Sequence, residues 1–275
     1  MPLVDMPTLL AGHRAAGAFN YVQLEMAEAI VAGAEAAGTG VVLQLSQNAV
    51  AFHGGIAPAA TAALRLADTA AVPVVVHLDH ATDENLVDEA IAIGMPSVMF
   101  DGAHLPDDEN LARTAAVARR AQSAGVWVEA ELGEIGGKGA HTPGVRTDVD
   151  DAAAFVAATG VNALAVAVGS EHAMLERSAR LDEELITRLA RRVPVPLVLH
   201  GSSGVSDAGI DGAVVAGMRK VNIGTHLNVV LTAVVRERLA ADPAVVDPRR
   251  YLRPAREAVA AEVARLLALI VRGEA

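Results

Sequence analysis

The chain carries nine histidines and no cysteine, so any transition-metal site in it must be built from imidazole and carboxylate groups. The same count excludes disulfides, thiolate ligands and a cysteine nucleophile. The histidines are unevenly placed. His77 and His80 close one short Val- and Leu-rich run, and His104, His172, His200 and His226 end or follow others. Any one of these read alone is an ordinary strand-end histidine bonded to a backbone carbonyl. Three imidazoles converging from separate strand ends make a site with an open position, which a catalytic divalent ion such as Zn²⁺ needs for water or a substrate oxygen.

Asp79 stands directly before His80. Neighbouring strand residues point to opposite faces, so both can serve one mouth only where the strand is ending and its alternation relaxes. The alternative for Asp79 is a structural cap on the next helix. Two further segments suit a phosphate group: His200-Gly-Ser-Ser-Gly204, with Gly201, Ser202 and Ser203, and Asn222-Ile-Gly-Thr225, with Ile223 and Gly224. Glycine lets backbone approach closely, and hydroxyls add donors. Either run alone could be a plain turn.

These residues need a frame that brings strand ends together. Short apolar runs alternate with Ala-rich helical stretches along the chain, the pattern of repeated βα units in the α/β class. Eight strands are expected, near Ala16–Tyr21, Val41–Ser46, Val74–Asp79, Ser97–Asp101, Trp127–Leu132, Ala163–Gly169, Leu197–His200 and Lys220–Ile223. Helices are expected over Gln23–Ala37, Asp83–Ile93, Leu111–Ala124, Asp150–Ala158, Glu183–Arg192 and Ser206–Met218. A further helix over about Met6–Ala15 precedes the first strand, and a long one over about Pro248–Arg272 follows the last. No G-x-G-x-x-G follows the first strand, so a closed TIM (β/α)8 barrel is preferred to an open dinucleotide-binding sheet. Catalytic residues then belong at the C-terminal strand ends, and phosphate after strands seven and eight. No linker divides residues 1–275, which read as a single domain.

Composition narrows the function. A length of 275 residues with 52% hydrophobic content allows a large core, and 3% aromatic content leaves Ala, Val and Leu to fill it. A net charge of -11 argues against a nucleic-acid partner. A small anionic substrate remains compatible, because backbone N–H groups and helix N-termini hold phosphate without a basic surface. The first residues lack the basic and apolar regions of a signal peptide. Every apolar stretch is interrupted before membrane-spanning length, so a cytoplasmic protein with no membrane partner is expected.

The segments Val76-His-Leu-Asp-His80, Val128-Glu-Ala-Glu-Leu-Gly133, Val168-Gly-Ser-Glu-His172, Leu197-Val-Leu-His-Gly-Ser-Ser203 and Lys220-Val-Asn-Ile-Gly-Thr225 resemble, in order, the motifs of class II fructose- and tagatose-bisphosphate aldolases. The resemblance extends to Gly17-Ala-Phe-Asn20, Ser46, Ser97-Val-Met-Phe-Asp-Gly102 and Asp247-Pro-Arg-Arg-Tyr-Leu-Arg253. It implies His80, His172 and His200 as ligands of Zn²⁺ or a similar ion such as Co²⁺, with Glu131 at a shifted or second position. A monovalent cation is a further expected partner. It implies Asp79 as the acid at the oxygen of the cleaved bond, Asn20 and Ser46 as substrate contacts, and Gly201, Ser203, Asn222, Gly224 and Thr225 around a phosphate. The implied substrate is a phosphorylated ketose, and the implied assembly is a homodimer or homotetramer in which Arg253 reaches a neighbouring active site.

Three departures stand out. Gly136-Gly137 is followed by Lys138-Gly139-Ala140-His141, where the family has an acidic pair that includes the proton-abstracting base. His141 is the candidate replacement, with Glu134 behind it, and Lys138 and Arg146 could instead clamp a distal phosphate. An ordinary glycine-rich loop is the third reading of this segment. Ala173 and Ala103 also stand where the family has glycine and serine. Two rival functions follow: a Schiff-base aldolase using Lys220, one of only two lysines, and a phosphosugar-binding barrel that has lost catalysis.

Overall fold

A computed structural model describes residues 2–133, 146–171 and 176–271. The chain begins with α1 (Met6–Ala11), whose first turn is capped by Asp5 accepting from the Thr8 N–H. Eight strands follow: β1 (Ala16–Asn20), β2 (Val41–Ser46), β3 (Val74–Ala81), β4 (Ser97–Phe100), β5 (Trp127–Leu132), β6 (Ala163–Val166), β7 (Leu197–Leu199) and β8 (Met218–Ile223). Each pairs in parallel with the next, and β8 pairs in parallel with β1, so the sheet closes as a TIM barrel. Closure buries the strands on both faces, which is why most of them read as short apolar runs rich in Val, Leu and Ala.

The helices between them are α2 (Leu24–Ala37), α3 (Gln47–His53), α4 (Ala57–Thr69), α5 (Glu84–Ile93), α6 (Asp107–Ser123), α7 (Val149–Thr159), α8 (Glu183–Arg192), α9 (Asp207–Ala216), α10 (Thr225–Ala241) and α11 (Arg249–Ile270). Side chains of Ser46, Asp83, Asp148, Asp182 and Ser206 accept backbone N–H groups at the starts of α3, α5, α7, α8 and α9. Such a cap contributes about 1 kcal/mol and fixes where the chain leaves a strand end.

Several boundaries differ from the sequence expectation. The first helix stops at Ala11, where Gly12 ends it, instead of running to Ala15. The fourth crossover helix starts at Asp107, because the acidic run Asp107-Asp108-Glu109 suits the positive end of a helix. The last strand begins at Met218, two residues before Lys220, and the ninth helix ends correspondingly early. The connection from β2 to β3 holds two helices, and α10 was not foreseen.

The two ends of the barrel differ. At the N-terminal end Met6, Leu9 and Leu10 of α1 pack on Ala16, Ala18, Val42 and Val75 inside the barrel, sealing its floor with apolar surface. The mouth at the other end is polar. On the outside α11 lies against α2 so closely that a Cβ on Gly33 would stand 2.6 Å from the Ala260 carbonyl oxygen and 2.7 Å from Val263 Cβ. Among the described residues no helix is long and apolar enough to cross a membrane.

Candidate active site

The end of β3 shows how one strand delivers two consecutive side chains. The β3–β4 register slips between Leu78 and Ala81, and His80 adopts a φ of +51°, alone among the described residues other than glycine in taking a positive φ. A non-glycine residue held in the left-handed region costs of order 1 kcal/mol or more and persists where surroundings impose it. The kink breaks the alternation, so the ligand atoms of Asp79 and His80 come within 4.8 Å of each other and of His200. Asp79 is not a helix cap, since Asp83 fills that position for α5.

Two amides hold Asp79. Asn20, ending β1, donates to Oδ2 at 2.7 Å, and Asn222, near the end of β8, donates to Oδ1 at 3.5 Å. Gln44 on β2 donates to the Asn20 oxygen at 3.2 Å, which orients that amide with its NH₂ toward the carboxylate. Asp79 is only 3% exposed, so its carboxylate is fixed in direction at the edge of the mouth.

Carboxylates also orient His80 and His200. His80 Nδ1 donates to Asp101 Oδ2 at 2.7 Å, which puts the ring's lone pair on Nε2. Burial pushes the Asp101 carboxyl up, but the His80 bond, the charges of His80 and His200 and the Ala103 N–H together outweigh it and the net shift is down. His200 is fully buried at the end of β7, with Nδ1 3.0 Å from Glu131 Oε2 and Nε2 3.0 Å from Glu129 Oε1. Burial lowers its proton affinity, and the two carboxylate bonds reverse this and raise its pKa to about 9. Beneath it Lys220 Nζ lies 2.7 Å from Glu129 Oε2. Burial pushes Glu129 up, while the Lys220 charge and the His200 bond more than offset this and hold it well below the usual carboxylate range.

These groups fit a divalent cation. His80 with Asp79 and His200 forms one cluster of ligand atoms, and His80 with Asp101 and Glu131 forms a second. Among the described residues four carboxylates, Asp79, Asp101, Glu129 and Glu131, gather here against the single ammonium of Lys220. Imidazole and carboxylate ligands with anionic groups behind them are the donor set that Zn²⁺ and Co²⁺ accept.

Beside this cluster is a cavity of about 200 Å³ lined by Asn20, Tyr21, Val22, Ser46, Asn48, Asp79, His80, Gly201, Ser203, Asn222, Gly224, Thr225 and Asn228. Gly201 has a φ of +68°, and a Cβ there would stand 2.6 Å from the Glu171 carbonyl oxygen, so the loops after β6 and β7 touch through this glycine. Ser203 Oγ accepts from the His226 N–H at 3.1 Å. Gly224 precedes α10, whose N-terminus opens on Thr225 and whose partial positive charge suits an anion. Two residues of the expected phosphate segments point their side chains elsewhere. Ser202 is buried with its hydroxyl donating to the Leu199 carbonyl, and Ile223 packs in the hydrophobic core.

The other sequence candidates separate. His77 is buried lower in the barrel with Nδ1 2.7 Å from Ser97 Oγ, His104 is exposed, and His226 binds Glu262 on α11 at 2.7 Å. Arg253 does not line this cavity; it borders a groove between α2 and α11 with Leu24, Glu25, Glu28 and Arg256. His172, with Ala173, and His141, with Glu134 and Lys138, lie outside the described residues. Arg146, the last residue of that glycine-rich segment, is described and brings its guanidinium beside Gly169 after β6.

Sequence reasoning assigned no role to Asp101, Glu129, Gln44, Asn48 or Asn228. The period of two was the available signal for one of them: Glu129 and Glu131 are two apart on β5, as Lys220 and Asn222 are on β8, so each pair shares the barrel's inner face.

Residues 8–273 match the family described as fructose-bisphosphate aldolase class-II. The chain is 37% identical over 268 residues to a probable fructose-bisphosphate aldolase of Bacillus subtilis, covering 94% of each protein. It is 36% identical over 272 residues to the fructose-bisphosphate aldolase of Geobacillus stearothermophilus, covering 96% of this chain and 95% of that one. The crystal structure of the YdjI aldolase from Escherichia coli K12 superposes with a TM-score of 0.85 at 31% identity, covering 98% of this chain and 97% of that one. A match spanning nearly all of the barrel and of the strand-end cluster within it means that the chain belongs to the class-II fructose-bisphosphate aldolase family.

Proposed function

We propose that this chain is a metal-dependent aldolase that reversibly cleaves a ketose 1,6-bisphosphate of fructose or tagatose type, or a related ketose 1-phosphate, to dihydroxyacetone phosphate and an aldehyde. The observation that carries the reading is the meeting of Asp79, His80 and His200 ligand atoms within 4.8 Å at the mouth, beside a cavity edged by two glycine-containing strand-end segments.

His80 and His200, with His172 from the sequence, would hold Zn²⁺ or another divalent ion such as Co²⁺, and Glu131 would offer a shifted or second position. A bound ion of this kind supplies the electron sink for carbon–carbon cleavage. Asp79, steadied by Asn20 and Asn222, takes the proton from the substrate hydroxyl during cleavage and returns it to the aldehyde oxygen in condensation. Gly201, Ser203, Gly224 and Thr225 surround the phosphate of the dihydroxyacetone half, the last two at the start of α10. Ser46 and Asn20 contact the sugar. Arg253 serves a neighbouring site in a homodimer or homotetramer, in keeping with its position away from its own chain's cavity.

Lys220 is a poor Schiff-base lysine. It is 2% exposed, ion-paired with Glu129, and stands below the cavity instead of within its lining. A barrel that only bound phosphosugars would have no use for a carboxylate fixed by two amides beside paired imidazoles. A cleavage assay of the metal-loaded protein on fructose 1,6-bisphosphate, tagatose 1,6-bisphosphate and their 1-phosphates tests the proposal. Turnover of at least one is expected, and inactivity on all four would contradict it.

A further inference from the structure

His226 stands in the first turn of α10, beside the cavity, yet the aldolase reading gives its side chain no part. Its backbone N–H donates to Ser203 Oγ at 3.1 Å, and its ring Nε2 lies 2.7 Å from Glu262 Oε1 on α11. An ionised carboxylate only accepts hydrogen bonds, so the ring donates. Arg265, one turn further along α11, donates to both Glu262 oxygens, at 2.9 and 2.8 Å, and at 2.6 Å to Asp207 at the start of α9. Arg265 chiefly, and His226 after it, hold the Glu262 carboxyl below its usual range against the effect of burial. The anchor matters because α10 is otherwise little buried. Its start at Gly224 has no side-chain cap, and Leu227 alone of its residues is buried.

We infer that Glu262, held by Arg265, is a positioning residue for the phosphate end of the cavity: it fixes the His226 ring and so seats the first turn of α10 on Ser203. Ser203 and Thr225 both line the cavity, whereas Glu262 does not, so it acts through His226. A serine hydroxyl carries one hydrogen, and the oxygen here takes the His226 N–H. Among the described residues the Ser203 hydroxyl makes no other hydrogen bond, so its own hydrogen is left to donate to an anion in the cavity. The same seating keeps Thr225 and the positive end of α10 against that anion. A helix end attracts an anion only across its first turn, so a small shift of that turn weakens the attraction.

This inference rests on the phosphate placement in the proposed function, and its test separates the two. Binding of inorganic phosphate would be followed by phosphorus-31 NMR titration, and KM and kcat measured on whichever ketose phosphate the parent cleaves, for the parent, His226→Leu, His226→Gln and Glu262→Met. His226→Leu removes the ring's bond to Glu262 and keeps the backbone N–H, while His226→Gln puts an amide donor back. Glu262→Met removes the acceptor and leaves Arg265 its pair with Asp207. His226→Leu and Glu262→Met are each expected to bind phosphate about tenfold more weakly, the scale of one hydrogen bond to a charged group, with KM raised to match and kcat near the parent value. His226→Gln should return both constants close to those of the parent. A bridge that only held α10 against α11 would lower the urea midpoint of His226→Leu and leave phosphate affinity and KM unchanged, and that result would overturn the inference. A Gln variant as weak as the Leu variant would overturn it equally. Should His226→Leu not fold, Glu262→Met against the parent gives the same decision. A parent that binds no inorganic phosphate would instead refute the phosphate placement itself.

Discussion

Asn20 and Asp79 meet across β2: the amide that ends β1 donates to Asp79 Oδ2 at 2.7 Å, and Gln44 of the intervening strand fixes the amide's orientation. Three neighbouring strands thus aim one carboxylate. Replacing Asp79 with Ala is expected to slow cleavage at least about a hundredfold, the scale for losing one proton-transfer group, while bound metal stays at the parent level. Steady-state kinetics with metal analysis decide this, and near-parent turnover would remove Asp79 from the chemistry.

The α2–α11 contact gives a stability test away from the mouth. Gly33→Ala gains about 1 kcal/mol of helix propensity, but its new methyl meets the Ala260 carbonyl at 2.6 Å and Val263 Cβ at 2.7 Å. Backbone cannot swing aside as a flexible side chain does, and overpacking of this kind costs about 1–3 kcal/mol. A lower urea midpoint with unchanged kcat is expected. A raised midpoint would show that the helices are not in such close contact.

His77 makes stability sensitive to acid. Its burial, with the Lys220 charge nearby, lowers its pKa from 6.5 to about 3. Below pH 6.5 the unfolded chain therefore takes up a proton that the folded chain refuses until about pH 3, so this group's share of stability falls as pH drops through that window. The slope is at most about 1.4 kcal/mol per pH unit for one proton. His77→Gln, which keeps a polar partner for Ser97, should show a smaller fall in urea midpoint between pH 7 and pH 5 than the parent. An equal fall in both proteins would assign the acid sensitivity to other groups.

Much of this was legible in the sequence where local pattern and burial agree. Buried parallel strands produce short, mostly apolar runs, so all eight were placed even where Glu129, Glu131 and Lys220 interrupt them, and the adjacent Asp79 and His80 implied a break in alternation that the positive φ of His80 supplies. The helix α10 escaped because most of its apolar residues are not packed in the core; Leu227 alone is buried. Its start at Gly224 also lacks a side-chain cap. Glu129 escaped for a different reason. Its contacts are with Lys220 and His200, which are 91 and 71 residues away in sequence, and no spacing within β5 announces partners at that distance. Ser202 and Ile223 were included because their segments are short, and only the fold shows that those two side chains turn from the cavity.

Metal dependence is the centre of this account, and cleavage of fructose 1,6-bisphosphate before and after exhaustive chelation tests it most directly, with borohydride added in parallel. The imidazole and carboxylate cluster at the mouth predicts that chelation abolishes activity, that Zn²⁺ or Co²⁺ restores it, and that His80→Ala and His200→Ala cannot be restored. Full activity after chelation, or borohydride trapping of substrate on Lys220, would contradict it.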